Sequence, residues 1–202
     1  MKPAVDGRAV FFVMLFALLA ACDDSRSAST ANFQKALQSY YDSHPVCVSL
    51  AVTLPASIGT GALELMRPQL DALAKAGVLK KSETGQSGAA QPAASIRYSI
   101  APGNRTFVHA GHDSFLGGTD LCFARRKITK VESFTKPAQV MGRKVSQVTY
   151  DFELRGVASW TSTAAITAAF PGIKAALSRS PGKETEAMTL TDKGWRLERD
   201  AR

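Results

Sequence analysis

Residues Lys144 to Leu154 alternate strongly. Val148, Tyr150, Phe152 and Leu154 fall on one side, and Gln147, Thr149, Asp151 and Glu153 on the other. Only an extended chain with one wet and one dry face satisfies such a pattern. Parallel sheets bury both faces, so the pattern demands an antiparallel sheet whose apolar face is covered by something else. Leu121 to Phe134 is a second long strand, expected to pair antiparallel with the first. Between them, Lys136-Pro137 to Gly142 reads as a turn.

Helices are available to cover that face. Asn32 is placed to cap a helix running to about Ser43, with Phe33, Leu37, Tyr40 and Tyr41 on one face and Pro45 ending it. Ala62 to Ala76 is the clearest helix. Leu63, Met66, Leu70, Leu73 and Ala74 share a face, Pro68 argues for a start near Arg67 or a kink there, and Gly77 is a natural stop. Thr161 to Phe170 is Ala-rich and helical behind Trp160. Pro171-Gly172 interrupts it before a resumption over Ile173 to Leu177. The remaining β-type segments are Val46 to Leu54, a hairpin of Ser95–Ile100 with Arg105–His109, and a last hairpin of Thr185–Leu190 with Gly194–Glu198. Pro55 to Gly61 reads as a turn, and Ser82 to Ala94 as a mobile loop. The fold class is α+β: an antiparallel sheet with two to three packed helices.

The first 21 residues stand apart. Lys2 and Arg8 precede Ala9 to Ala21, a run of 13 apolar residues. As a helix it would span about 20 Å, short of the ~30 Å of a hydrocarbon core. A basic start, a short apolar run and a small-residue end make a secretory signal peptide. The run closes on Leu19-Ala20-Ala21-Cys22. This motif resembles the lipobox of bacterial membrane lipoproteins. The resemblance implies cleavage before Cys22, thioether lipidation of its sulfur and acylation of the new amino terminus, the chains together anchoring the protein in a membrane. Asp23 after the cysteine implies, by the enterobacterial pattern, the inner membrane facing the periplasm. The remainder resembles lipoproteins of Gram-negative bacteria with no assigned activity. The expected organisation is a signal peptide over 1–21, a flexible tether over 22–30 and one α+β globular domain over 31–202.

A second resemblance is more local. Leu70-Asp71-Ala72-Leu73-Ala74-Lys75-Ala76-Gly77-Val78-Leu79, followed by Arg97-Tyr98-Ser99-Ile100, is similar to the helix-to-wing junction of winged-helix domains. It covers about 75 residues at most, and one helix of that family's usual three is absent. It supports the layout of the N-terminal part. DNA binding is not carried across to an exported chain, and no nucleic-acid partner is expected.

Removing residues 1–21 takes away Lys2, Arg8 and Asp6, leaving 23 basic and 16 acidic side chains, a formal +7. A basic exported protein suits a protein partner or an anionic envelope polymer. The densest basic run is Arg125-Arg126-Lys127 with Lys130. On a regular strand Arg125 and Lys127 share one face, and Arg126 and Lys130 the other. The run is a candidate surface for anionic groups. Once Cys22 carries lipid, Cys47 and Cys122 remain, and two cysteines in an oxidising compartment are expected to pair.

Signals for catalysis are sparse. No G-x-S-x-G, P-loop or G-x-G-x-x-G is present. His109-Ala110-Gly111-His112-Asp113, with Asp120 nearby, is the one cluster to test as a metal site, and His109 and His112 are its candidate ligands. The spacing is not that of known zinc motifs, and no metal or other cofactor is expected. The reading is a lipid-anchored, non-catalytic binding or accessory module. The alternative is a periplasmic hydrolase or metal-binding protein using the His109/His112 loop.

Overall fold

The structure, a computed structural model, describes residues 25–59, 62–84, 95–111 and 118–200. Cys22, His112 and Asp113 lie outside them, as does most of the Ser82–Ala94 loop.

Helix α1 (Thr30–Ser43) starts earlier than expected. Its cap is Ser29, whose hydroxyl accepts the Asn32 N–H at 3.2 Å. Asn32 is instead inside the first turn and buried, its side-chain amide donating to the Ser27 carbonyl at 3.0 Å. The segment before the helix is therefore hydrogen-bonded to it from Ser27 onward.

Strand β1 (Val46–Leu50) stops short of Leu54, and Ala56–Ile58 forms a strand, β2, where a turn was expected. A 3-10 turn over Ala62–Met66 then leads into α2 (Arg67–Lys75), with Pro68 in the first turn, where its missing N–H costs nothing. Gly77, at φ +76°, reverses the chain into β3 (Leu79–Thr84). Strand β4 (Ser95–Ile100) pairs antiparallel with β3 and with β2, giving a three-stranded sheet in the order β2-β4-β3.

The expected hairpin of Ser95–Ile100 with Arg105–His109 does not form. After Ile100 the chain is held to the end of α2, Ala101 N–H donating to the Val78 carbonyl and the Asn104 amide to the Gly77 carbonyl. A 3-10 turn over Arg105–Phe107 then carries it to the other sheet, where β5 (Val108–Ala110) pairs with β6 (Thr119–Phe134).

Strand β6 is the spine. Its first half pairs with β1 and β5, and its second half with β8 (Arg143–Arg155), antiparallel as expected. The presumed turn between them contains β7 (Ala138–Val140), so β6, β7 and β8 make one long hairpin with Met141-Gly142 at its tip. Helices α3 (Ala164–Ala169) and α4 (Pro171–Ser178) follow, then β9 (Gly182–Thr191) and β10 (Gly194–Leu197), which close the sheet in the order β1-β6-β8-β9-β10.

Two cores result. In one, Leu70 and Leu73 of α2, Ile166 and Ile173 pack with Tyr98, Leu121 and Phe123. In the other, Phe33, Leu37 and Tyr41 of α1 cover Ile128, Val131, Tyr150, Met188 and Trp195. Both draw on β6. Phe33 sits 4.8 Å from the Trp195 ring and 4.9 Å from the Phe134 ring.

Candidate functional site

The first half of β6 builds a polar row. Asp120 lies level with Ser49 of β1 on one side and with His109 of β5 on the other. Directly opposed residues project from the same face of a sheet. Two residues along, Cys122 lies opposite Cys47, and the two are joined by a disulfide with an S–S bond of 2.05 Å. The C-terminal turn of α1 brings Asp42, Ser43 and His44 alongside, and Arg125 and Arg155 close the far end. Together they line a groove of about 920 Å3. Five residues singled out in the sequence, Cys47, His109, Asp120, Cys122 and Arg125, thus meet in one place.

The groove's hydrogen bonds limit its chemistry. Ser49 Oγ donates to Asp120 Oδ1 at 2.6 Å. In a serine triad the imidazole lies between hydroxyl and carboxylate, taking the proton from one while oriented by the other. Here the carboxylate is in the middle, so the hydroxyl is held rather than activated. His44 is stacked on Tyr40, with ring centroids 4.0 Å apart, and its Nδ1 is 2.8 Å from the Tyr40 carbonyl. A carbonyl only accepts, so Nδ1 carries the hydrogen. Among the described residues no three His, Cys, Asp or Glu side chains are grouped to hold a metal. Cys122, being oxidised, offers no thiolate.

The basic run is divided between the two faces differently from a regular strand. Ile128 pairs with Phe152 but Lys130 pairs with Asp151, so a bulge at Thr129 shifts the alternation. Lys130 joins Arg125 and Lys127 on the solvent face, and Arg126 alone points inward. On the solvent face several charges are answered. Lys130 pairs with Glu132 at 2.7 Å, Lys183 with Asp151 at 3.6 Å, and Arg155 Nε with Glu153 at 2.7 Å.

Arg126 belongs to a network that the sequence reading missed. Its guanidinium pairs with Glu184 and lies over the rings of Tyr41, at 4.6 Å, and Phe152, at 4.0 Å. The Tyr41 and Tyr150 hydroxyls are 2.7 Å apart. Arg199 reaches both Tyr41, at 3.2 Å, and Glu186, at 2.6 Å. Burial pushes both tyrosine hydroxyls above their ordinary range. For Arg126 burial opposes the charge, and the bond to Glu184 together with the surrounding Glu184, Tyr41 and Tyr150 electrostatics outweighs it. Tyr41, Arg126, Glu184, Glu186 and Arg199 line a cleft of about 510 Å3 at the end of α1. A signal existed: Glu184 and Glu186 are in phase with Met188, so a strand burying Met188 carries both carboxylates to the inner face.

Compared with protein-family models, curated proteins and solved structures, the chain matches none.

Proposed function

We propose that this chain is an exported, lipid-anchored envelope protein that acts as a non-catalytic binding module. Its ligand occupies the groove over the Cys47–Cys122 bridge. The groove carries the reading: its volume is that of a binding site, and its polar groups converge from α1, β1, β5 and β6. Arg125 and Arg155 are direct cross-strand partners at its end. Like charges set opposite each other are unfavourable; Glu153 offsets Arg155, and Arg125 is the cation that offers itself to a ligand's anionic group. With the formal +7 of the chain after Cys22, this favours an acidic partner or an anionic envelope polymer. The anchor is Cys22, with Asp23 favouring the inner membrane and the groove facing the periplasm. The winged-helix-like reading narrows to α2 with the β3–β4 hairpin, since α1 packs in the other core.

The test has two arms. In a Gram-negative host, wild type should fractionate with membranes and carry the mass of an acylated Cys22, while Cys22→Ala should carry none. Heparin serves as an anionic polymer probe for the groove. Arg125→Glu with Arg155→Glu should release from heparin at lower salt than wild type, and Lys174→Glu, on α4, should not. Equal release by both variants removes the groove from the reading. Turnover of an ester or glycoside that is lost on changing His109 moves it to the hydrolase.

A further inference from the structure

Resting on the lipid-anchored reading, the geometry points to a specific surface that lies against anionic lipid headgroups. It is the end of the sheet formed by the β7–β8 tip at Met141 and the β9–β10 turn at Lys193.

The chain's own path leads there. Ser25 is packed on the β9–β10 turn so closely that a Cβ on Gly194 would come 2.9 Å from the Ser25 carbonyl oxygen. The Trp195 indole N–H donates to the Ser27 carbonyl at 3.1 Å, and Arg26 pairs with Asp192 at 3.8 Å. Cys22 is three residues before Ser25. Three residues reach at most about 10 Å even when fully extended. A lipid on Cys22 therefore holds the β9–β10 turn close to the bilayer, rather than letting the protein swing on a long leash.

The strand register places the other tip at the same end. Strands β8 and β9 pair Val145 with Thr189, Ser146 with Met188, and so on in unbroken steps to Phe152 with Gly182. Continued by two residues, this register sets Arg143, the first residue of β8, level with Thr191, the last of β9. The tip Met141-Gly142 and the turn Asp192-Lys193 thus project past the same edge.

That tip has the chemistry of a membrane contact. Met141 is 99% exposed and Val140 is 50% exposed. Met141 also adopts φ +47°, in a turn where Asn, Asp or Gly is the ordinary residue. Neither the core nor the turn asks for a methionine there, whereas an interface of apolar chains beneath charged headgroups does. Lys136, Arg143 and Lys144, all exposed, flank it on the same hairpin. Cations beside an apolar tip attract anionic headgroups while the tip enters between them. The groove, at the far end of α1, then opens away from the membrane.

The experiment uses the full, processed chain with its native disulfide, reconstituted in phosphatidylethanolamine vesicles with and without phosphatidylglycerol. Single nitroxide labels are placed at Met141→Cys, Lys193→Cys and Ala175→Cys, the last on exposed α4. Intact mass reports lipidation of Cys22. The Met141 label should be relaxed more by oxygen than by a water-soluble nickel chelate. The Lys193 label should be intermediate and the Ala175 label aqueous, with the contrast strengthened by phosphatidylglycerol. Three equally aqueous labels on a lipidated, vesicle-bound protein overturn the surface and leave the anchor standing. An unlipidated chain that stays in solution overturns the anchor and this surface together.

Discussion

The Arg126 guanidinium lies over the Phe152 ring, its central carbon 4.0 Å from the ring centre, while both of its terminal nitrogens reach the Glu184 carboxylate. The Arg126 side chain is 18% exposed and that of Glu184 30%, so water screens the pair only weakly. Removing one partner strands the other. Arg126→Met should lower stability by about 3 kcal/mol, because among the described residues Glu184 is left with only the Tyr150 hydroxyl, at 3.2 Å. Arg126→Lys keeps the charge but loses the fork and the stacking, and should cost about 1–2 kcal/mol. Urea denaturation of both variants checks the order. A lysine variant as unstable as the methionine one would mean that stacking, not charge, holds the pair.

The Cys47–Cys122 bridge joins residues 75 apart in sequence. It constrains the unfolded chain over that loop, a contribution of roughly 4–5 kcal/mol in the chain-entropy picture. Cys47→Ala with Cys122→Ala should therefore melt well below wild type, and dithiothreitol should lower the wild type toward the variant without moving the variant itself. A small difference between oxidised and reduced protein would mean that β1 and β6 keep the unfolded chain closed on their own.

Long runs of one period were legible in the sequence. The alternation of Lys144–Leu154, the matching strand through Leu121–Phe134, the last hairpin and the stop at Gly77 all stand, because each is written in consecutive residues. Three-residue strands such as Ala56–Ile58 and Ala138–Val140 are too short to show a period and exist only because a longer neighbour lends them hydrogen bonds. The partner of Ser95–Ile100 was missed because proximity in sequence favoured Arg105–His109, whereas Asn104 and Ala101 tie the turn to α2. The bulge at Thr129 reassigned Lys130 to the other face, which no count of alternating residues reveals before pairing is known. For the groove, the separate residues were visible but their meeting was not, since His44, Cys47 and Ser49 come from more than 50 residues before His109 and Asp120.

Asp71 accepts hydrogen bonds from Lys81 Nζ and the Tyr98 hydroxyl, each at 2.7 Å. Partial burial pushes its carboxyl upward, but the bonds from Lys81 and Tyr98 outweigh it and hold the group below the usual carboxylate range. A carboxyl whose folded value is depressed stabilises the protein above its unfolded value of about 3.9, and that contribution fades as pH falls through the folded value. Asp71→Asn should therefore be less stable than wild type at neutral pH, with the gap closing below pH ~4. Urea midpoints of the two proteins measured across the acid range give the comparison. A gap that is constant with pH would assign the effect to the hydrogen-bond geometry rather than to the charge.

Gly194 meets two demands at once. Its φ of +98° is a conformation that side chains rarely adopt, and the space where a Cβ would sit is taken by the Ser25 carbonyl, 2.9 Å away. Gly194→Ala therefore faces backbone strain of about 1–2 kcal/mol and a clash with backbone, which cannot swing aside as a side chain would. The cheaper relief is for residues 25–27 to lift off the β9–β10 turn, giving up contacts that include the Trp195 indole, the Asn32 amide and Asp192. Trp195 would then lose its hydrogen bond and gain water around its indole edge. The expected result is red-shifted tryptophan emission, faster tryptic cleavage after Arg26, and only a modest fall in melting temperature, because Phe33 and Leu37 still fix α1 on the sheet. If melting falls steeply while cleavage after Arg26 is unchanged, the strain is borne by the β9–β10 hairpin and the segment before α1 stays docked.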